Sequence, residues 1–147
     1  MDTPMRLPAL ALCFTIATAS AANVADFPDL QAALDANPGK VLTLPAGDYP
    51  ISRKLVLRGD GAGLSGHGRI IQNNPDEPIV EIEGLKDVLL RDVTLTRAPG
   101  KTESRKSGLL AIRCTHLRVD QVRILDNQSA TGALALRVQG KMATMQR

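Results

Sequence analysis

The fold is decided by the stretch VEIE at residues 80–83, in which apolar and acidic residues alternate. LAIR at 110–113 has the same alternation and places Ile112 over Ile82. LALR at 134–137 continues it and places Leu136 over Ile112, so that all three are expected to occupy equivalent buried positions. A period of two is typical of strands that bury one face, so the sequence predicts three equivalent β-strands.

A second strand follows each of the first two at a nearly constant distance. Here one apolar set aligns with another: Val88, Leu90, Val93 and Leu95 with Leu117, Val119, Val122 and Ile124. Gly, Asn, Asp and Pro separate these runs, and no helical pattern interrupts them. Each repeat therefore reads as one coil of a β-solenoid, in which neighbouring coils bury a continuous core. The Leu and Asn spacing of a leucine-rich repeat is absent.

Outward positions of the same alignment bring opposite charges together. The expected pairs are Glu83 with Arg113, Arg91 with Asp120, and Arg97 with Asp126. Adjacent strands lie about 4.8 Å apart, so each pair is predicted to bridge two coils and to contribute about 0.2–1 kcal/mol.

The first 22 residues have the pattern of an export signal. Arg6 provides a basic start, residues 7–19 are apolar, and Ala19-Ser20-Ala21 has the small residues that a signal peptidase requires. We expect cleavage after Ala21 or Ala22, which predicts a secreted or periplasmic protein with no membrane segment after cleavage. The apolar run is too short for a stable membrane span of about 30 Å. Cys114 is then the one remaining cysteine and is expected to be buried.

Residues 23–40 contain a short amphipathic helix. Its apolar face comprises Phe27, Leu30, Ala33 and Leu34, with Asp26 as the expected N-cap. Asn37-Pro38-Gly39 ends it. The coils follow over residues 41–140, and residues 141–147 are expected to form an irregular tail.

Composition restricts the class of partner. The 147 residues are 44% hydrophobic, which supports a buried core, and the net charge is +3. No Lys/Arg block with interleaved aromatic residues is present, which argues against nucleic-acid binding. A monomer is expected.

The stretch VLTLPAGDYPI at residues 41–51, followed by the strand 55–57 and the Gly-rich turn 61–68, resembles the opening of pectate lyase superfamily (pectin-lyase-like) proteins. Those proteins begin with a helix, a strand ending in Pro-x-Gly-x-Tyr, a further strand and a Gly-rich turn. The resemblance covers about residues 24–140. It implies an all-β fold, a right-handed parallel β-helix (solenoid) with one N-terminal capping helix that plugs the open end.

The resemblance also implies a class of ligand. The superfamily includes lyases and hydrolases of acidic polysaccharides as well as non-enzymatic adhesins, so the fold does not settle whether this chain is an enzyme. One expectation is a polysaccharide lyase or glycoside hydrolase, or a chain truncated before the catalytic coils. The alternative is a non-catalytic glycan-binding or cell-surface protein. Ca²⁺ is implied by the family alone, and the residues indicate no cofactor or metal site.

Two groups of residues are candidates for binding an acidic polysaccharide. Glu81, Glu83 and Arg113 are predicted to share one outer face, and the polar loop 97–107 carries Lys101, Arg105 and Lys106. The competing interpretations are a surface charge ladder for the first group and a solvated insertion for the second.

Two glycine-rich motifs invite other interpretations. Gly66-His67-Gly68 resembles an element of polygalacturonases, but glycines also permit a tight turn between coils. The GxGxxG pattern at residues 61–66 resembles a dinucleotide fingerprint, although the helix that this fingerprint requires is not predicted.

Overall fold

The computed structural model describes residues 22–129, 132, 134–137 and 144–146. In these residues, parallel strands wind into a β-solenoid of about 3 turns with one short α-helix. The predicted β-solenoid is therefore confirmed, and the predicted signal peptide lies outside the described residues apart from Ala22.

The described elements begin with a 3-10 turn at Val24–Asp26 and helix α1 at Leu30–Ala36. The strands follow in chain order: β1 (Val41–Thr43), β2 (Gly47–Ile51), β3 (Leu55–Val56), β4 (Gly63–Ser65), β5 (Gly68–Gln72), β6 (Val80–Glu83), β7 (Leu89–Arg91), β8 (Thr94–Arg97), β9 (Glu103–Ser104), β10 (Leu109–Ile112), β11 (Arg118–Asp120), β12 (Arg123–Ile124), β13 (Gln128–Ser129), β14 (Leu134–Arg137) and β15 (Thr144–Gln146).

Each coil passes through three parallel sheets in the same order. Sheet A has the strand order β1-β4-β7-β11-β15, sheet B has β2-β5-β8-β12, and sheet C has β3-β6-β10-β14. Strands β9 and β13 pair separately in the connection from sheet B to sheet C. The short connections lie between sheets A and B, and the longest lies between B and C.

The core is a set of stacked aliphatic columns. In sheet A, Leu42, Leu64 and Leu90 align from coil to coil, and all three are fully buried. Equivalent columns contain Ile70 and Leu95 in sheet B and Leu55, Val80 and Leu109 in sheet C. Burying each such side chain contributes about 1.5–3 kcal/mol, so the core supplies the main stabilisation.

The register in sheet C differs by one position from the sequence alignment. Ile82 pairs with Ala111, and Ala111 pairs with Leu136. The predicted alignment of Ile112 with Ile82 and with Leu136 was wrong, since Ile112 faces outward opposite Glu83. Matching the larger apolar residues displaced the alignment, and such a slip exchanges the two faces of a strand.

The alignment of β7 and β8 with β11 and β12 is confirmed. Leu90 pairs with Val119, and Leu95 pairs with Ile124. The turn between the two strands has the same form in both coils, because Asp92 and Gln121 both adopt a left-handed backbone there. A turn of constant length keeps both strands in register, which is why the sequence pattern located them correctly.

Helix α1 covers the first edge of sheet C. The Gln31 side chain accepts a hydrogen bond from Val56 N (2.9 Å) and donates one to Val56 O (3.1 Å), so it satisfies backbone groups of the edge strand β3. Leu30 and Leu34 are buried in the common core. Because an uncovered edge would expose core and backbone groups, this contact fits the predicted capping role.

The helix starts later than the sequence predicted. Asp29 is the N-cap, and its side chain accepts a hydrogen bond from Ala32 N at 2.7 Å. Asp26 instead ends the preceding 3-10 turn, which Asn23 caps. Two competing cap residues lie three positions apart, and the spacing of the apolar face alone did not separate them.

Two of the three predicted charge pairs form in the solenoid. Arg91 donates to Asp120 at 3.2 Å across β7 and β11, and Arg113 donates to Glu83. The second pair is diagonal, because the corrected register places Glu83 opposite Ile112.

Part of the predicted irregular tail is regular. Thr144–Gln146 pairs with Arg118–Asp120 as strand β15, and residues 141–143 and 147 lie outside the described residues. This pairing satisfies backbone groups that β11 would otherwise expose at the edge of sheet A.

The register can be tested by placing one carboxylate on each side of strand β10. Ala111→Asp should destabilise the protein by about 3 kcal/mol or more, because it buries an unpaired charge. Ile112→Asp should cost less, about 1–2 kcal/mol, because its carboxylate stays in solvent and only faces the like charge of Glu83 on the neighbouring strand. Urea unfolding of both variants measures the difference. The reverse order of stabilities would restore the alignment of Ile112 with Ile82.

Candidate functional site

Glu81 on the outer face of sheet C is bound by a basic side chain. Lys54, just before β3, donates from Nζ to both carboxylate oxygens of Glu81, at 2.9 and 2.8 Å. The hydrogen bond to Glu81 raises the pKa of Lys54, although burial of the amine opposes this effect. Sequence reasoning missed Lys54, because the alignment began at β6 and did not extend back to β3.

Glu83 and Arg113, as predicted, also lie on this side of the solenoid. Their side chains are about half exposed (49% for Glu83 and 57% for Arg113) and form a salt bridge. Each carboxylate of the predicted acidic patch therefore has its own cation. The interpretation as a surface charge ladder describes this geometry better than a cluster of free carboxylates does.

This patch does not fit a Ca²⁺ ion. Ca²⁺ requires six to eight oxygen ligands, and both glutamates are engaged by cations. Within the described residues, no three His, Cys, Asp or Glu side chains come together in a way that could hold a metal ion.

Arg97, the last residue of β8, anchors the long loop between sheets B and C. Its side chain is 2% exposed, and it donates from Nε to Asn127 Oδ1 and from Nη1 to Asn74 O at 3.1 Å. Nη2 donates to the carbonyl oxygens of Glu77 and Lys106, both at 3.1 Å. Burial lowers the pKa of this guanidinium.

The predicted pair between Arg97 and Asp126 was therefore wrong. Arg97 faces inward, beside Gln72 in the neighbouring coil, and the Asp126 carboxylate accepts instead from Thr96 Oγ1 at 3.2 Å. The alignment was correct, but it could not indicate that the strand alternation breaks at Thr96 and Arg97, which are both buried.

The loop is ordered by its own contacts and is not only a solvated insertion. Glu103–Ser104 pairs with Gln128–Ser129, and Ser104 Oγ donates to Pro75 O in the preceding coil. Three successive B-to-C connections are thus linked by hydrogen bonds. Lys101, Arg105 and Lys106 are exposed on this framework.

The six predicted site residues thus occupy two separate places. Glu81, Glu83 and Arg113 lie along sheet C, whereas the three basic residues lie on the B-to-C loop. The three residues on the loop are all basic, whereas the group on sheet C contains both signs of charge. The exposed Glu103 lies in the same loop as the basic residues.

A cavity of about 330 Å³ lies between sheet B and this loop, and sequence reasoning missed it. Strands β5 and β8 contribute Arg69, Ile71, Thr96 and Arg97, and the connections between sheets B and C contribute Pro99, Thr102 and Asp126. No single sequence motif contains these residues, because three different coils bring them together.

A larger groove of about 890 Å³ runs between helix α1 and the first coil. Arg58 and Asp35 form a salt bridge at 2.8 Å in its wall, and the Gln31 side chain there is occupied with Val56. The hydrogen bond from Arg58 lowers the pKa of Asp35. These polar groups are used to dock the capping helix.

The glycine-rich motifs serve the turns between strands. A Cβ on Gly66 would lie 2.2 Å from Leu44 O, and one on Gly68 would lie 2.4 Å from the Leu44 side chain, so both positions require glycine. His67 between them is exposed. The GxGxxG pattern contains strand β4 and is followed by strand β5, not by a helix, which excludes the dinucleotide interpretation.

Comparison with known proteins gives no match to a protein-family model, to a curated protein or to a solved structure. Among the described residues, no helix is long and apolar enough to cross a membrane. Cys114 is buried and unpaired, as the sequence predicted.

Arg97→Lys tests the anchoring of the loop. Lysine keeps the charge but cannot reach four acceptors in different directions, so we expect a loss of about 2–4 kcal/mol in unfolding free energy. Amide hydrogen exchange should also accelerate in residues 98–107. The exposed Arg123→Lys on the same sheet is the matched control and should change stability by less than about 0.5 kcal/mol. Equal stability of the two variants would contradict the anchoring role.

Proposed function

We propose that this chain is an exported β-helix protein of the pectate lyase superfamily type, and that it binds an acidic polysaccharide through the loop between sheets B and C. The observation that carries the proposal is the presentation of Lys101, Arg105 and Lys106 as exposed side chains on an ordered loop. The family assignment and export are supported by the sequence patterns alone.

The anchoring of the loop favours binding. Arg97 and Ser104 fix its backbone through bonds to Asn74, Glu77 and Pro75 of the preceding connection. A loop that is already ordered loses less conformational entropy on association than a flexible one. A polyanion then meets several cations at fixed positions, which raises both affinity and association rate.

Binding is better supported than cleavage. Acid–base hydrolysis of a glycan needs carboxylates with different protonation states, and a lyase needs a base near the uronate Cα. The two glutamates on sheet C are instead neutralised by Lys54 and Arg113. A catalytic role on acidic glycans remains the alternative proposal, supported by the sequence resemblance.

The charge-reversal variant Lys101→Glu/Lys106→Glu tests the loop. We expect its affinity for a polyuronate to fall about tenfold or more at low salt, with a smaller fall at high salt, because screening weakens exposed charges. The measurement is retardation on an affinity gel at several salt concentrations, with a neutral polysaccharide for comparison.

Lys40→Glu/Lys86→Glu is the matched control. Both lysines are exposed and precede strands of sheet A, away from the B-to-C loop, and the change in net charge is the same. An equal loss of polyuronate affinity in both double variants would show that binding depends on net charge alone, and would contradict the proposed surface. Release of unsaturated uronates or of reducing ends would support the catalytic alternative.

A further inference from the structure

We propose that the cavity between sheet B and the loop binds a single uronate ring of the acidic polysaccharide, an inference that rests on the proposed function. Its volume of about 330 Å³ is in the range of small-ligand pockets, about 300–1,000 Å³. None of the residues predicted from sequence as binding residues lines it.

One wall of the cavity is apolar. Ile71 and Thr96 are direct neighbours across β5 and β8 on the outer face of sheet B, and Pro99 approaches from the loop. A sugar ring has C–H groups on its faces and hydroxyls around its rim, so it can contact such a surface while its rim stays hydrogen-bonded.

Hydrogen-bond donors and acceptors surround that wall. Arg69 uses Nε and Nη2 for Asp48, at 2.9 Å each, which occupies two of its five N–H donors. Asp126 accepts one hydrogen bond from Thr96, and its exposed carboxylate has further acceptor sites. Arg69 and Asp126 both line the cavity, and the negative charge of Asp126 adds to the larger effect of Asp48 in raising the pKa of Arg69.

The charge distribution favours a ligand with one carboxylate and several hydroxyls. Arg97 lines the cavity from its buried side, and its four hydrogen-bond acceptors are uncharged oxygens, so they do not neutralise its charge. The two arginines favour an anion. Asp126 disfavours a dianion such as phosphate but accepts hydrogen bonds from hydroxyls. A uronate matches both requirements.

Asp126→Asn is the decisive variant, because two models predict opposite signs. Removing a negative charge should tighten binding of any polyanion attracted by net charge alone. If Asp126 accepts hydroxyls of a bound ring, the variant should instead weaken binding of a uronate trisaccharide at least about tenfold. Asn tolerates the left-handed backbone at this position, where φ is 52°, so the fold should be kept.

The experiment is calorimetric titration of the full chain with a uronate trisaccharide and with a neutral trisaccharide of equal length. Asp76→Asn is the matched control, since Asp76 is exposed on the B-to-C connection between β5 and β6 and does not line the cavity. It should bind the uronate as tightly as the unmodified protein or slightly more tightly. Thr102→Val removes one lining hydroxyl and should weaken binding about two- to tenfold.

The outcomes separate the two proposals. Three results would each overturn the cavity site and leave the loop surface intact. The first is that Asp126→Asn binds the uronate trisaccharide as tightly as the unmodified protein or more tightly. The others are that the neutral trisaccharide binds equally well, or that the polymer binds and the uronate trisaccharide does not. Failure of the unmodified protein to bind either polymer or trisaccharide would overturn both.

Discussion

The structure depends on the stacking of inward-facing side chains from coil to coil. Parallel strands at about 4.8 Å force each core residue to lie on the equivalent residue of the next coil, so the register of one strand fixes that of its sheet. Leu64 lies between Leu42 and Leu90 in this way, and all three exclude water. Connections can then vary in length without altering the core, which leaves their side chains available for binding.

The corner after sheet B is where this rule admits polar residues. Gln72 and Arg97 occupy aligned, buried positions there. Both donate to backbone carbonyls of the connection between β5 and β6, and Arg97 also donates to Lys106 O in the longer loop between β8 and β10. Long connections carry carbonyl groups that no strand pairing satisfies, and leaving such groups unsatisfied in the interior costs about 1–3 kcal/mol each. The buried Gln72 and Arg97 are therefore a structural consequence of the longer connections. Arg97 also holds in place the loop that carries Lys101 and Lys106.

The sequence was sufficient to predict the architecture, because alternation within a strand and repetition between coils can both be seen by comparing segments of the chain. It identified the coils, the helix and the buried Cys114. It was one position off in sheet C, where Ala111 fills the inward position and the larger Ile112 lies outside. The cavity could not be predicted, since Arg69 and Asp126 meet only after three coils have stacked. Likewise, Arg97 resembles a surface cation until its carbonyl partners are in place.

The distribution of charge follows from these constraints. On the regular sheets, outward residues of adjacent coils are close enough to pair, so Glu83 meets Arg113 and Arg91 meets Asp120. Paired surface charges contribute at most about 1 kcal/mol and leave little field for a ligand. In the long connection, Lys101 and Lys106 stand outside the ladder, so their field extends into solvent. The charges of Lys101 and Lys106 therefore lie where the repeat is least regular, on the same loop that borders the cavity.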